Sequence, residues 1–227
     1  MEAKTPLARR YMEEAAWCRL SSRQGRRRLR VARSLLTCEL AAALMNEIGL
    51  PPEPAHSYRH VNMHNPRRAL RFDEGRGNWQ AQPGFERHPV WGLNWDAAQL
   101  LCRQLGARLP WAAEWEAFAA GGEPGPAYPW GDAPPSPEFA NYDEHFAGTT
   151  PVGRFAANAL GLYDLAGNLA EWCLDVPAGG PSLERLVKGG AWSKGASQLR
   201  IDCNRAKWAR LGTTTIGLRP VWEERAR

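Results

Sequence analysis

Apolar residues recur at helical spacing in three stretches of the chain. The stretch Leu35–Ile48 predicts an amphipathic helix with Thr37 as its N-cap. Residues 96–105 predict a second helix, which Asn94 or Asp96 caps. Residues 110–119 predict a third, short helix with proline in its first turn.

Shorter apolar runs between residues 160 and 221 alternate with turn residues. They predict short strands, with the sequences GLYDL, AEWCL, RLVKGGAW, LRIDC and TIGLRPVW. Residues 27–33 predict an earlier strand, and residues 5–20 predict a short helix or an arm. Residues 50–88 and 120–160 are polar or rich in glycine and proline, and predict loop. The pattern therefore predicts one α+β domain with much ordered loop.

The composition agrees with a domain built largely from loops. The chain of 227 residues contains 22 Gly and 18 Pro, which a helical bundle would not tolerate. Its 11 Trp outnumber 6 Phe and 5 Tyr. A buried indole fills much volume and needs only one partner for its N–H group, so tryptophan suits a core among loops.

The chain shows no run of 18 apolar residues and no apolar segment near its N-terminus. We therefore expect a cytoplasmic protein without membrane contact. Its cysteines are few, odd in number and widely spaced, which predicts reduced and mostly buried thiols. They are Cys18, Cys38, Cys102, Cys173 and Cys203.

Positive charge is concentrated at the N-terminus. Residues 1–33 contain ten Lys or Arg and three Glu, whereas the net charge of the whole chain is +5. One interpretation is a solvated basic face. The other is that residues 1–26 form a basic arm or helix that attracts an acidic partner or nucleic acid.

A series of short motifs follows in a fixed order from residue 88 onward. They are His88-Pro89-Val90, Asn94-Trp95-Asp96-Ala97-Ala98, Arg108-Leu109-Pro110, Glu114-Trp115-Glu116, Tyr128-Pro129-Trp130-Gly131, Ala140-Asn141, Thr150-Pro151-Val152-Gly153, Asn158, Gly161-Leu162-Tyr163-Asp164, Gly167-Asn168, Glu171-Trp172, Lys188-Gly189-Gly190-Ala191-Trp192 and Ile216-Gly217-Leu218-Arg219. In number, order and spacing they resemble the formylglycine-generating enzyme superfamily. The resemblance implies a C-type-lectin-like fold over residues 1–227, with two main helices, small twisted antiparallel sheets and abundant ordered loop.

The same motifs imply where the core lies. Five motif tryptophans are expected to be buried: Trp95, Trp115, Trp130, Trp172 and Trp192. Gly189 and Gly190 are expected to let the backbone pass close beneath a large indole ring.

The copper oxidases of this superfamily bind Cu(I) through two thiolates just after the Gly-Gly-Ser-Trp motif. Residues 191–200 of this chain contain no cysteine. Soft thiolates are what Cu(I) requires, so copper is not expected and catalysis is disfavoured. The alternative is an oxidase or oxygenase of the superfamily with an altered metal site.

Another enzymatic branch uses iron and three histidines. His56, His60 and His64 have helical spacing, but Pro54 and Pro66 lie among or beside them, which favours loop histidines. Glu114 and Glu116 do not face each other on a helix, so salt bridges are expected for them rather than paired catalysis.

Calcium is the metal that the resemblance implies. The superfamily holds it with the Asn and Glu of the Gly-Asn-x-x-Glu-Trp motif, here Asn168 and Glu171, and a second site uses Asn141. Hard oxygen ligands suit this ion, which would be structural. Alternatively, Asn168 and Glu171 brace a turn.

The C-terminal segment most resembles the variable proteins of diversity-generating retroelements. In these proteins the corresponding segment, here residues 190–219, is rewritten and binds ligand. We expect a non-catalytic protein that binds a protein or another macromolecule through this segment, with Trp208 and Arg210 as anchors. An ordinary superfamily member with a divergent loop is the other interpretation. The candidate ligand-binding residues are Ser193, Lys194, Gly195, Ser197, Gln198, Ile201, Asp202, Asn204, Lys207, Trp208, Arg210, Thr213, Thr214 and Thr215.

Overall fold

The computed structural model describes residues 5–22, 25–52, 60–63, 68–121 and 125–223 and, for residues 19–22 and 25–27, their backbone only. It contains four α-helices, and a side-chain oxygen caps the N-terminus of each of the first three. They are α1 (Pro6–Glu13), α2 (Cys38–Glu47), α3 (Trp95–Gln104) and α4 (Ala112–Ala119). The three predicted helices are therefore confirmed, and so are Thr37 and Asn94 as N-caps. The third helix begins at Ala112, so Pro110 precedes it instead of lying in its first turn.

The helix α2 begins three residues later than its apolar pattern predicts. Leu36 is extended instead, because its amide donates to the carbonyl of Leu218 (3.0 Å) and its carbonyl accepts from Val90 (2.8 Å). A backbone that bonds to two distant segments cannot also bond within a helix.

The N-terminal and C-terminal segments meet in an antiparallel sheet of three strands. Its order is β1 (Ala16–Ser22), β2 (Gly25–Val31) and β9 (Val221–Glu223). The helix expected within residues 5–20 is present only as α1, and residues 16–22 form a strand. Ala16 and Cys18 both pack in the core while Trp17 between them is exposed, which is the alternation of faces along a strand.

A two-stranded hairpin lies in the region that we expected to be loop. It pairs β3 (Leu70–Asp73) with β4 (Asn78–Ala81). Trp79 of β4 is buried, donates from its indole Nε1 to the carbonyl of Leu50 (2.8 Å), and contacts Phe72 edge to face. This tryptophan supplies the apolar contacts that the short polar strands lack.

The central sheet holds the C-terminal segment. Its strand order is β7 (Arg205–Trp208), β6 (Glu184–Lys188), β5 (Ala170–Trp172) and β8 (Ile216–Gly217). Neighbouring strands are antiparallel except β5 and β8, which are parallel.

Two of the predicted strands are absent at their expected positions. The run Gly161–Leu165 is a turn, because Gly161 and Asp164 have φ angles of 74° and 56°. The run Leu199–Cys203 follows a 3-10 helix, Ala196–Leu199. Apolar side chains are buried in both runs, but without a ladder of backbone bonds.

The tryptophan core differs in part from its prediction. Trp115 and Trp172 are fully buried as expected, whereas Trp95, Trp130 and Trp192 are half-buried. Trp79 and Trp91, which lie outside the tryptophan motifs, are buried as well. Carbonyl or carboxylate oxygens accept the indole N–H groups of Trp79, Trp95, Trp115, Trp130, Trp172, Trp192 and Trp222.

The longest helices, α2 and α3, have ten residues each. A membrane-spanning helix needs about 20, and no helix in the described part of the chain is long and apolar enough. All five cysteines are free, and four of them are buried. The prediction that most thiols are buried is thus confirmed.

We predict that Gly189→Ala destabilises the protein by at least about 2 kcal/mol. Gly189 has a φ of 89°, and a β-carbon there would lie 2.7 Å from the carbonyl oxygen of Leu165 and 3.2 Å from the indole of Trp115. Gly195→Ala is the matched control, since a β-carbon at Gly195 meets no atom within 4 Å. Chemical denaturation of both variants measures the difference; equal stabilities would contradict the prediction.

Candidate ligand-binding surface

The segment 190–219 is fastened to the domain at positions that are buried. Leu199, Ile216 and Leu218 are core residues, and a β-carbon at Gly190 would lie 2.9 Å from the carbonyl oxygen of Gln198. These positions use their side chains, or the lack of one, for packing. Most of the side chains between them are exposed or half-buried.

Arg219 ends the segment in a buried ion pair with Glu171. Its Nε lies 3.0 Å from both carboxylate oxygens and its Nη2 lies 2.7 Å from Oε1. The guanidinium also donates to the carbonyls of Ala32 (2.9 Å) and Tyr163 (2.7 Å). Burial acts to lower the pKa of Arg219, but the carboxylate of Glu171 outweighs it and raises that pKa.

Glu171 is fully engaged by protein donors. The indole Nε1 of Trp115 donates to Oε2 (2.9 Å), in addition to the three hydrogen bonds that the carboxylate accepts from Arg219. A carboxylate has about four acceptor sites, and these contacts use them. The side chain of Glu171 therefore does not fit the role of a calcium ligand.

Asn168 braces a turn, which was the alternative to calcium binding. Its Oδ1 accepts from the amide of Thr150 (3.0 Å) and its Nδ2 donates to the carbonyl of the same residue (3.1 Å). Its φ of 61° is one that asparagine tolerates. The side-chain amide thus closes the turn, and both of its polar atoms have partners within the chain.

Asn141 differs from the other two residues of the expected metal sites. Its Nδ2 donates to the carbonyl of Gly148 (2.8 Å), while its Oδ1 is buried and has no hydrogen-bond partner. The hydroxyl of Thr150, in the same network of turns, is also buried without a partner. Two orphaned oxygens in one network are compatible with a hard cation or an ordered water.

The candidate ligand-binding residues fall into three groups by exposure. Gly195, Ser197, Asp202, Asn204, Trp208 and Arg210 are exposed; Ser193, Lys194, Gln198, Lys207, Thr213, Thr214 and Thr215 are half-buried; Ile201 is buried. Trp208, with 55% of its surface exposed, is the most exposed large hydrophobic residue in the described part of the chain. Tryptophan and arginine are enriched at protein–protein interfaces.

Ile201 does not belong to the surface, contrary to its prediction. It is only 7% exposed and packs in the same apolar cluster as Leu165 and Cys173. Its amide donates to the carbonyl of Ala127 (2.9 Å), so the backbone turns the side chain inward.

Some surface residues already have partners within the chain. Asp202 pairs with Arg200 (2.8 Å). Asn204 accepts from Nζ of Lys188 (3.1 Å), which is buried and pairs with Glu116 (2.7 Å). Glu114 binds both Nη atoms of Arg108 (2.6 and 2.7 Å), so both glutamates form salt bridges as expected.

Five of the candidate residues line one of two concave places. A small cavity of about 20 Å³, the size of one water, is lined by Lys194, Gln198, Lys207 and Thr215, together with Cys203 and Arg205. A groove of about 1010 Å³ is lined by Thr214, Trp192, Phe85, Trp91, Phe146 and Glu144, among others. Sequence reasoning missed Arg205 and the aromatic groove. The cavity and the groove are each lined by residues from distant loops, which leave no local pattern in the sequence.

The thiols are placed unfavourably for Cu(I). Burial raises the pKa of Cys18 to about 11 and raises those of Cys38, Cys102 and Cys173 further. The thiolate is the form that binds metal, and burial disfavours it. Cys203 alone is partly exposed.

Of the three candidate iron ligands, His56 and His64 lie outside the described residues. His60 is described and lies in a loop. Within the described ranges, His, Cys, Asp and Glu do not form a group of three or more that would hold a metal ion.

Helices and small sheets joined by long ordered loops define a C-type-lectin-like domain. Residues 54–224 match the sulfatase-modifying factor enzyme 1-like domain, and the chain belongs to this family. The fold also resembles the solved structure of Treponema denticola variable protein 1, with a TM-score of 0.62 and 18% identity, covering 92% of this chain and 93% of that one.

Two curated relatives are similar in sequence. The serine/threonine-protein kinase Pkn1 of Chlamydia trachomatis serovar L2 is 36% identical over 148 residues, covering 57% of this chain and 23% of the kinase. The formylglycine-generating enzyme of Thermomonospora curvata is 39% identical over 101 residues, covering 39% of this chain and 33% of the enzyme. The match thus spans a quarter to a third of these relatives' length.

We predict that Trp208→Ser leaves the free energy of unfolding within about 0.5 kcal/mol of its original value. Ile201→Ala, seven positions earlier in the same segment, is expected to cost about 2–5 kcal/mol because it opens a cavity. Denaturation curves of the two variants test whether the side chain of Trp208 faces solvent while that of Ile201 packs in the core. A loss of stability at Trp208 equal to that at Ile201 would contradict the assignment.

Glu171→Gln is expected to cost about 3–5 kcal/mol, because it leaves the buried Arg219 guanidinium without its counter-ion. Asp202→Asn is the control, since it breaks an exposed pair with Arg200 and should leave the melting temperature unchanged. Thermal unfolding of the two variants provides the comparison. A small effect at Glu171 would mean that the ion pair does not hold the fold.

Proposed function

We propose that the protein is a non-catalytic ligand-binding protein that displays residues 190–219 on a C-type-lectin-like scaffold. One observation carries the proposal: the segment is pinned by buried positions, while Trp208, Arg210 and their polar neighbours face solvent. Exposed aromatic and guanidinium groups supply most of the binding energy at protein interfaces, and small polar groups adapt to the ligand.

The burial of four thiols supports a role without copper chemistry. The family contains enzymes, but a shared fold leaves function to the site. A single partly exposed thiol, Cys203, does not provide the pair of soft ligands that Cu(I) requires.

We further propose that residues 190–219 are a diversified segment. The decisive observation is genomic: a near-copy of their codons, differing only at adenines, should lie close to a gene for a reverse transcriptase. Absence of that copy would remove diversification and leave an ordinary binding domain.

Metal analysis of the purified protein tests the claim that it is not an enzyme. We expect neither copper nor iron near one equivalent and no oxygen-dependent turnover of a cysteine-containing peptide. Stoichiometric metal with such turnover would establish the alternative, an oxidase or oxygenase with an altered site.

The N-terminal hairpin suits an acidic partner. Trp17 is 47% exposed, and the guanidinium carbons of Arg28 and Arg30 lie 4.7 and 5.5 Å from its ring centre. An anionic partner would meet two guanidinium groups beside an exposed aromatic ring there. The free thiols fit a protein of the cytoplasm.

We propose that calcium, if retained from the family, binds at Asn141 rather than at Glu171 or Asn168. At about 1 mM calcium the melting temperature should exceed that in excess chelator, because a ligand that binds only the folded state stabilises it. Asn141→Asp should keep or strengthen this shift by adding a charged oxygen. Equal melting temperatures in calcium and chelator would refute the proposal.

A further inference from the structure

The strand β7 is an edge of the central sheet. It pairs with β6 from Glu184↔Trp208 to Val187↔Arg205, and no further strand pairs with its other side in the described parts of the chain. An edge strand presents unpaired N–H and C=O groups that can receive another strand.

The two faces of β7 have different chemistry. Side chains alternate along a strand, so Arg205 and Lys207 share one face while Ala206 and Trp208 share the other. Arg205, Ala206 and Trp208 are exposed and Lys207 is half-buried. The strand therefore offers one basic and one apolar row.

A third cation, Lys194, joins the two of the basic row at one cavity. Lys194, Arg205 and Lys207 line the cavity of about 20 Å³, and no acidic side chain lines it. These three cations have no ion-pair partner among the described residues. Gln198 and Thr215 add polar groups to the same wall.

The strand register brings a fourth cation to this face. Arg185 of β6 lies opposite Lys207, an arrangement that costs stability for like charges. Arg185 relieves it in part by stacking on Trp95, with 4.3 Å between the guanidinium carbon and the ring centre. A negative charge from outside the chain would relieve the rest.

The charge of the whole segment points the same way. Residues 190–219 contain six Lys or Arg and a single Asp, whereas residues 34–189 contain 11 Lys or Arg and 18 Asp or Glu. A basic segment thus lies on an acidic body. Such separation selects an acidic partner and steers it to one face.

We propose that β7 receives, as an added strand, an extended segment of a partner protein in which acidic residues alternate with apolar ones. The acidic side chains pair with Arg205 and Lys207, and one of them reaches Lys194 at the cavity. The apolar side chains pack on Ala206 and Trp208. This inference rests on the proposed function and specifies the chemistry of its ligand.

Charged residues also occur on edge strands to keep sheets from aggregating. That role needs cations on the strand itself. It does not require Lys194, from a separate loop, to join Arg205 and Lys207 at one cavity. The convergence is what distinguishes a binding site from simple edge protection.

The test uses a short fluorescent peptide that alternates Glu and Val, titrated into the full chain and followed by anisotropy. We expect binding that weakens at least about tenfold when salt is raised from about 50 to about 300 mM. Replacing every Glu by Gln should weaken it similarly. Replacing alternate residues by proline should abolish it, because proline cannot donate to the ladder.

Protein variants locate the interaction. R205E combined with K207E should weaken peptide binding at least about tenfold. R87E combined with R103E is the matched control, since both arginines are exposed, lie outside the cavity lining and change the net charge equally. Amide hydrogen exchange of residues 205–208 should slow when the peptide binds.

Several results would overturn the inference: no peptide binding at low salt, equal binding by the Gln peptide, equal loss in the control variant, or unchanged exchange at residues 205–208. Tighter binding of a DNA oligonucleotide than of the peptide would also overturn it. These outcomes leave the proposed function to its own test, because a genomic copy of the segment can exist whatever ligand it binds.

Discussion

The ion pair between Arg219 and Glu171 holds together the parts of this fold that have little secondary structure. Glu171 lies on β5, and its second oxygen accepts from Trp115 of α4. Arg219 reaches the carbonyl of Ala32, just after β2, and that of Tyr163 in a central turn. A buried guanidinium is tolerated only when its N–H groups have acceptors. The segments that supply these acceptors are therefore held in one arrangement relative to one another.

The pair also explains how a long irregular segment can return to a fixed position. Residues 190–219 begin at glycines that pack against backbone and end at Arg219. Between them, Gly212 approaches Gly92 so closely that a β-carbon would lie 2.0 Å from its carbonyl oxygen. Contacts of this kind depend on the backbone, which leaves many of the intervening side chains free to change without loss of the fold.

The segment 190–219 presents a surface with its own chemistry. Four of the five thiols are buried, and cations and an exposed tryptophan lie within this segment. Residues 190–219 are basic and residues 34–189 are acidic, and this contrast steers an anionic partner toward the segment, which the fold alone would not do.

The sequence by itself determined three helices, the N-caps Thr37 and Asn94, the family and the exposure of Trp208, because these depend on local spacing and on motifs read in order. Only the tertiary structure decided that residues 16–22 form a strand, that Ile201 is buried, and that Arg219 forms a buried ion pair with Glu171. It also brought Lys194 and Arg205 to one cavity. Each of these depends on contacts between residues far apart in the chain, and a local pattern of hydrophobic and polar positions carries no record of such contacts.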